Sequence, residues 1–146
     1  MEFKLISQDD LSEAINQIPH GISRGVLFSG VVYRRRHRYS CIDQAVALFK
    51  EGELIALGTI APHGEMNSGV PTIVGIWVRP SDRHLGHGAA ITQKVIERSI
   101  ERGFEKIQLD AIVEPIIKIH ASLTQGLKER TILKNFIIPG IPIFFD

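Results

Sequence analysis

The sequence predicts a mixed α/β domain on one central sheet, and three observations carry that prediction. Short β-branched and apolar runs recur along the chain, among them AVALF, ELIALGTI, PTIVGIWV and KIQLDAIV. An amphipathic stretch with helical spacing lies between the last two. A length of 146 residues, 44% of them hydrophobic and 23% charged, suits one ordinary core, so residues 1–146 are read as a single domain.

Taken in order, Glu2 to Ile6 reads as a short strand. Ser7 or Asp9 can cap a helix running to about Ile18, with Leu11, Ala14, Ile15 and Ile18 at helical spacing. Pro19 to Gly21 ends it. Residues 22–40 combine strand-favouring aromatic and β-branched residues with two glycines and a dense basic run, and they stay undecided between strand and irregular segment. Residues 45–60 read as a hairpin turned across Lys50 to Glu53, with Gly52 in the turn. APHGEMNSG is a polar loop. PTIVGIWV is an apolar strand that stops at Arg79 and Pro80, where proline removes a ladder donor.

From Ala89 the period changes. Ile91, Val95, Ile96 and Ile100 share one helical face, Lys94, Glu97, Arg98 and Glu101 the other, and Gly103 suits the stop. Residues 106–113 form the next strand, Pro115 opens a helix to about Gly126, and ILKNFIIPGIPIFF reads as two strands turned at Pro139 and Gly140.

Composition excludes several classes. With 17 basic and 16 acidic side chains, the formal charge of +1 argues against a chain wholly devoted to nucleic acid or membrane. The single cysteine, Cys41, cannot form an intrachain disulfide or supply a zinc site of the usual kind, which points to a reducing cytoplasm and to no metal. The N-terminal stretch is acidic and amphipathic where a signal peptide would be basic and then apolar. No apolar run approaches the ~20 residues of a membrane helix.

The chemistry concentrates in WVRPSDRHLGHGAAI, residues 77–91. A strand that ends in a glycine-rich turn and runs into a helix offers free backbone N–H groups at the positive end of a helix dipole, a place for phosphate oxygens. Gly86 and Gly88 allow close approach; two glycines also serve a plain sharp turn. No GK[ST] follows, so this is not a Walker loop, and Ile91 stands where a dinucleotide fingerprint needs its third glycine.

In this setting the run resembles the acyl-CoA-binding motif of the GCN5-related N-acetyltransferases (GNAT), [QR]xxGx[GA] between a strand and a helix, matched by Arg83, Gly86 and Gly88. The preceding Val78, Arg79 and Pro80 match the family's strand ending, and the element order follows it more loosely over nearly the whole chain. The resemblance implies the GNAT-like acyl-CoA N-acyltransferase fold, a mixed and mostly antiparallel sheet flanked by helices. It implies a pyrophosphate held by backbone N–H groups around Leu85, His87, Gly88 and Ala89, with Arg83 and His84 opening the loop and His87 adding a side-chain contact. It also implies a pantetheine arm along Ile76, Trp77 and Val78, where that strand diverges from Gln108 to Ala111, and an N–H near Val78 facing the thioester oxygen.

Catalytic side chains match the family less well. Where many members place a tyrosine, four residues before a glycine in the last long helix, this chain has Ser122, and Pro115 stands where an asparagine is common. A lysine-like amine has a pKa of about 10.4, so removing its proton at pH 7 costs roughly 4 to 5 kcal/mol and calls for a base or water chain. The motif strand contains no acid; Glu65 and His63 in the preceding loop are the nearest candidates.

Arg34, Arg35, Arg36 and Arg38, interleaved with Tyr33, His37 and Tyr39, form the one strong charge cluster. They read first as a solvated loop or edge and second as a border for an acidic or phosphate-bearing acceptor. His84 and His120 are isolated and read as surface or hydrogen-bonded residues. Nothing near Cys41 marks an activated thiolate, so direct transfer in a ternary complex is preferred.

The sequence reading is therefore an N-acetyltransferase that uses acetyl-CoA, or another acyl-CoA, to acylate an unidentified primary amine. A non-catalytic CoA-binding sensor of the same fold is the alternative, and a nucleic-acid-binding module using Tyr33 to Tyr39 ranks below it. No membrane partner is expected. The apolar ending FIIPGIPIFF suits core burial or a homodimer contact equally.

Overall fold

The computed structural model describes residues 1–17, 43–63, 69–111 and 114–135. In chain order the elements are β1 (Glu2–Ser7), α1 (Gln8–Asn16), β2 (Gln44–Lys50), β3 (Glu53–Ala61) and β4 (Thr72–Val78). A 3-10 turn (Pro80–Asp82) leads to α2 (His87–Glu101), β5 (Ile107–Ala111), α3 (Glu114–Ser122), α4 (Gln125–Lys128) and β6 (Thr131–Asn135). The undecided segment 22–40, with its arginine cluster, and the last predicted strand lie outside the described residues, as does Cys41.

Among the described residues the six strands form one sheet in sequential order, β1-β2-β3-β4-β5-β6. The first three pairings are antiparallel, and β4–β5 and β5–β6 are parallel, so the sheet is mixed and mostly antiparallel as expected. The hairpin from β2 to β3 turns at Glu51 and Gly52, both at positive φ (52° and 80°). Two such residues between paired Lys50 and Glu53 give the backbone twist that a two-residue hairpin requires.

α2 is the structural centre. Its Ile91, Val95 and Ile96 are buried against the sheet in the main core cluster with Val46, Ile76 and Val78. Gly58 on β3 permits the close approach: a Cβ there would sit 2.8 Å from Val95 Cγ2 and 3.3 Å from Ile91 Cγ1. At the far end Gly103, at φ 94°, stops the helix. Its N–H bonds Ile100 O at 2.9 Å while Phe104 N–H bonds Ser99 O at 3.1 Å, the paired closure of a Schellman motif. Arg98 Nε donates to Gln44 Oε1 at 3.0 Å and Arg102 pairs with Asp43, so this end is tied to the start of β2.

Two boundaries differ from the sequence reading. The helix expected from Ala89 begins at His87, because Gly86 adopts the left-handed conformation (φ 85°, ψ 7°) and lets helical backbone follow at once. The helix expected to reach Gly126 stops at Ser122: Leu123 turns into the core at 6% exposure, and Thr124 takes extended backbone (φ −63°, ψ 156°) before the short α4 restarts. Burial of one leucine outweighs the helical continuity of the local pattern.

Candidate functional site

β4 is paired differently on its two sides. Against β3 it stays paired as far as Val78, opposite Ala56, with one register shift between Thr59 and Ile60. Against β5 it pairs only at Thr72 with Gln108 and Ile73 with Leu109, after which the two strands separate. The separation expected from the resemblance is therefore present.

The groups that face this wedge follow from the register. Arg79 N–H donates to Ile55 O at 2.7 Å, so residue 79 bonds toward β3. Antiparallel ladders alternate, so Trp77 and Gly75 also bond toward β3, while the N–H and C=O of Ile76 and Val78 point to the other edge. Among the described residues β5 has no paired position there. The side chains take opposite faces: Ile76 stands beside Gly58 on the α2 face, whereas Trp77, 2% exposed, belongs to the core on the other face. The tryptophan thus serves packing, and the wedge is lined by backbone.

The β4-to-α2 turn is held by charge. Arg79 donates to Asp82 from Nε and to Glu53 from Nη1, the latter at 2.7 Å. Asp82 is buried and also accepts from Ser81 Oγ at 3.2 Å. Its hydrogen bond from Arg79 holds the carboxyl below the ordinary carboxylate range, against the opposing effect of burial. Sequence reading missed this brace; the local signal was the three-residue spacing from Arg79 to Asp82, but Glu53 comes from another strand. Arg83 then reaches back, its Nε donating to Val78 O at 2.8 Å.

Beyond Arg83 the loop displays His84 at φ 65°, Leu85 at 67% exposure and Gly86, where an added Cβ would meet nothing within 4 Å. Gly86 is the N-cap of α2 and makes no side-chain capping bond, and the first turn holds no acidic residue. The first intrahelical bond is Ala90 N–H to Gly86 O, at 3.1 Å. The N–H groups of His87, Gly88 and Ala89 therefore have no acceptor within the helix, and no carboxylate of its first turn offsets the positive end of its dipole. Gly88 is buried in the first turn and His87 half-exposed beside it.

The loop and helix-start residues Arg83 to Ala89 and the strand residues Ile76 to Val78 thus adjoin one another at one end of β4. His63 lies elsewhere: it is exposed, two residues past Ala61, which pairs with Thr72 at the other end of the strand. Its carbonyl accepts from Gly69 N–H at 2.8 Å. Glu65 lies outside the described residues. Ser122 is exposed at the end of α3, and its hydroxyl donates to Ile119 O in its own helix at 2.7 Å. Half-buried His120 bonds through Nε2 to Thr131 Oγ1 at 3.2 Å. Thr131 Oγ1 gives its own proton to Lys128 O, so Nε2 is the donor. Burial, then the nearby Lys128, lowers the His120 pKa. Among the described residues no group of acidic, cysteine and histidine side chains could hold a metal, and no helix is long and apolar enough to cross a membrane.

Comparison with known proteins agrees with this fold. Solved structures with the same fold include an aminoglycoside acetyltransferase from an uncultured soil metagenomic sample, 18% identical with a TM-score of 0.56 over 94% of this chain and 97% of that one. A ribosomal-protein-alanine N-acetyltransferase from Brucella melitensis biovar Abortus 2308 is 16% identical with a TM-score of 0.53, covering 83% of this chain and 89% of its own. A protein from Clostridium acetobutylicum described as a predicted acetyltransferase, with acetyl-CoA, is 15% identical with a TM-score of 0.52, covering 85% and 90%. Among curated proteins none matches. The family model described as acetyltransferase (GNAT) family matches residues 14–119, most of the sequence, and the chain belongs to this acetyltransferase family.

Proposed function

We propose that this protein transfers an acetyl group from acetyl-CoA to a primary amine by direct attack in a ternary complex. The observation that carries the reading is the adjacency of a strand edge with no strand partner among the described residues, at Ile76 and Val78, and a helix start without a side-chain cap, at His87 to Ala89. A long ligand with a phosphate end and an amide-bearing arm fits both features. The phosphates suit the N–H groups of His87, Gly88 and Ala89, and the arm suits the β4 edge as an added strand.

The order along the strand refines the roles. From the cradle, an arm lying on this edge passes Val78 first and Ile76 second, toward the closed end at Ile73. Val78 then serves the arm, while the Ile76 N–H is the deeper donor, suited to the thioester oxygen. The thioester supplies an acyl carbon open to attack and a thiolate leaving group. A backbone donor aimed at the developing oxyanion is worth about 10²- to 10³-fold in rate. As the N–C bond forms and the C–S bond breaks, the amine loses a proton and the sulfur gains one. His63 and Glu65 are the candidates to receive the first, directly or through water. Ser122, its proton directed into its own helix, needs a rotamer change to supply the second.

Neighbours named for aminoglycosides and for a ribosomal-protein alanine both support an amine acceptor for this fold. The Ser122 geometry favours one second reading, a CoA-binding sensor without turnover. Calorimetric titration with acetyl-CoA and CoA tests what the two readings share: binding is expected, and its absence at high micromolar ligand overturns both. Thiol release over a panel of amines separates them, because a sensor binds but releases none.

A further inference from the structure

β1 is the outer strand of the sheet, and its far edge pairs with no other strand among the described residues. An exposed edge carries a row of free backbone donors and acceptors and is usually covered or blunted. Here it is decorated in an ordered way. Phe3 (39% exposed) and Leu5 (52%) alternate with the exposed charges Glu2 and Lys4. With Met1, at 76%, they make up most of the exposed large hydrophobic residues among the described residues, the others being Leu85 and Ile132.

The two faces of the strand are distinct. Phe3 and Leu5 stand opposite Leu48 and Val46, on the face covered by α2, and Lys94 of α2 places its Nζ 5.3 Å from the Phe3 ring. Lys4 lies on the other face, its Nζ 5.3 Å from the Phe49 ring. A strand joining this edge must therefore offer apolar residues on one face and complementary charges on the other.

β1 meets that requirement itself. A two-fold axis through Phe3, normal to the sheet, sets two copies antiparallel and keeps like faces together. Phe3 then meets the partner's Phe3, Leu5 meets the partner's Met1, and Glu2 meets the partner's Lys4 on both sides of the axis. Centring the axis on Glu2 or on Lys4 instead opposes like charges, and a one-residue slip turns apolar residues against charged ones. Centring it on Leu5 leaves Glu2 and Lys4 unmatched. We propose that the outer edge of β1 joins a second copy of this chain in the Phe3-centred register, giving a dimer with one continuous sheet.

Charge reversal tests the register. Sedimentation velocity or light scattering over a micromolar concentration series is expected to show a monomer–dimer equilibrium for the untagged protein. Glu2→Lys and Lys4→Glu should each raise the dimer dissociation constant by about tenfold or more, since each creates two like-charge pairs. Mixing the two single variants should restore dimers, because every cross-strand pair is then opposite in sign, and the double variant Glu2→Lys/Lys4→Glu should also dimerise alone. Circular dichroism checks that each variant is folded. A monomeric parent at the highest soluble concentration, dimers indifferent to the reversals, or a mixture that stays monomeric each overturns the proposal.

Discussion

Arg83 reaches back to donate its Nε–H to the carbonyl of Val78, 2.8 Å away, while the same peptide unit donates the Arg79 N–H to Ile55 on the opposite side at 2.7 Å. The last peptide of β4 is held from both edges, and its plane sets where the wedge begins.

Removing that hold should weaken ligand binding more than folding. Arg83→Ala is expected to raise the acetyl-CoA dissociation constant about tenfold, or ~1.4 kcal/mol. Arg83→Lys should not restore it, since lysine lacks the planar guanidinium and its Nε–H. Calorimetry reads the affinity and urea unfolding the stability; unchanged affinity in Arg83→Ala would remove the argument for this contact.

Two left-handed positions in the loop should respond with opposite signs. Gly86 has open space around a missing Cβ but a φ of 85°, so Gly86→Ala introduces backbone strain without a clash, about 1 kcal/mol. His84 already carries such strain at φ 65°, and His84→Gly should stabilise by roughly 0.5 kcal/mol after the entropy of an added glycine. Thermal melts should move down for the first by about 2 to 4 °C and slightly up for the second.

At the helix–sheet contact, Gly58→Ala places a methyl 2.8 Å from Val95 Cγ2. A β-branched side chain in a helix has little freedom to yield, so the change should cost about 1–3 kcal/mol. Val95→Ala alone should also destabilise, yet the double variant should be better than the sum. Additive losses in urea unfolding would show that the two positions do not meet.

The Arg79–Asp82 brace should appear in the acid limb of stability. Because the Asp82 carboxyl is lowered by its hydrogen bond from Arg79, the unfolded chain binds a proton more readily than the folded one. Its contribution is complete above the unfolded aspartate value of about 3.9 and is lost as pH falls through the lower folded value. Asp82→Asn should flatten this part of the stability-versus-pH curve and leave a deficit at neutral pH. A curve unchanged by the substitution would discount the brace.

Local patterns were a good guide wherever local physics decides. Apolar spacing located the buried face of α2, Gly103 its end and Gly52 the hairpin turn. Elements decided by distant partners were not legible. The break at Leu123 depends on a core that the helix itself does not contain, and the Asp82 brace depends on Glu53 across the sheet. The backbone geometry at Ile76, Val78 and the start of α2 came through the motif, because glycine spacing reports backbone shape. The acid and base did not, since they need side chains placed in space, and Glu65 and the arginine cluster fall outside the described residues.

The unequal pairing of β4 makes one strand interior at Thr72 and Ile73 and marginal at Ile76 and Val78. A margin ordinarily invites other polypeptides, which is the route to aggregation. This margin is bounded at both ends: β5 pairs with β4 at Thr72 and Ile73, and the Arg83 guanidinium donates to the final carbonyl, that of Val78. A polypeptide with side chains on both faces must widen the gap along its full length to enter, whereas a slender, unbranched chain with one amide at a time need not. On the proposed reading, the gap that takes a ligand as a strand also screens β4 from real strands, so recognition and protection from misassembly share one structural origin.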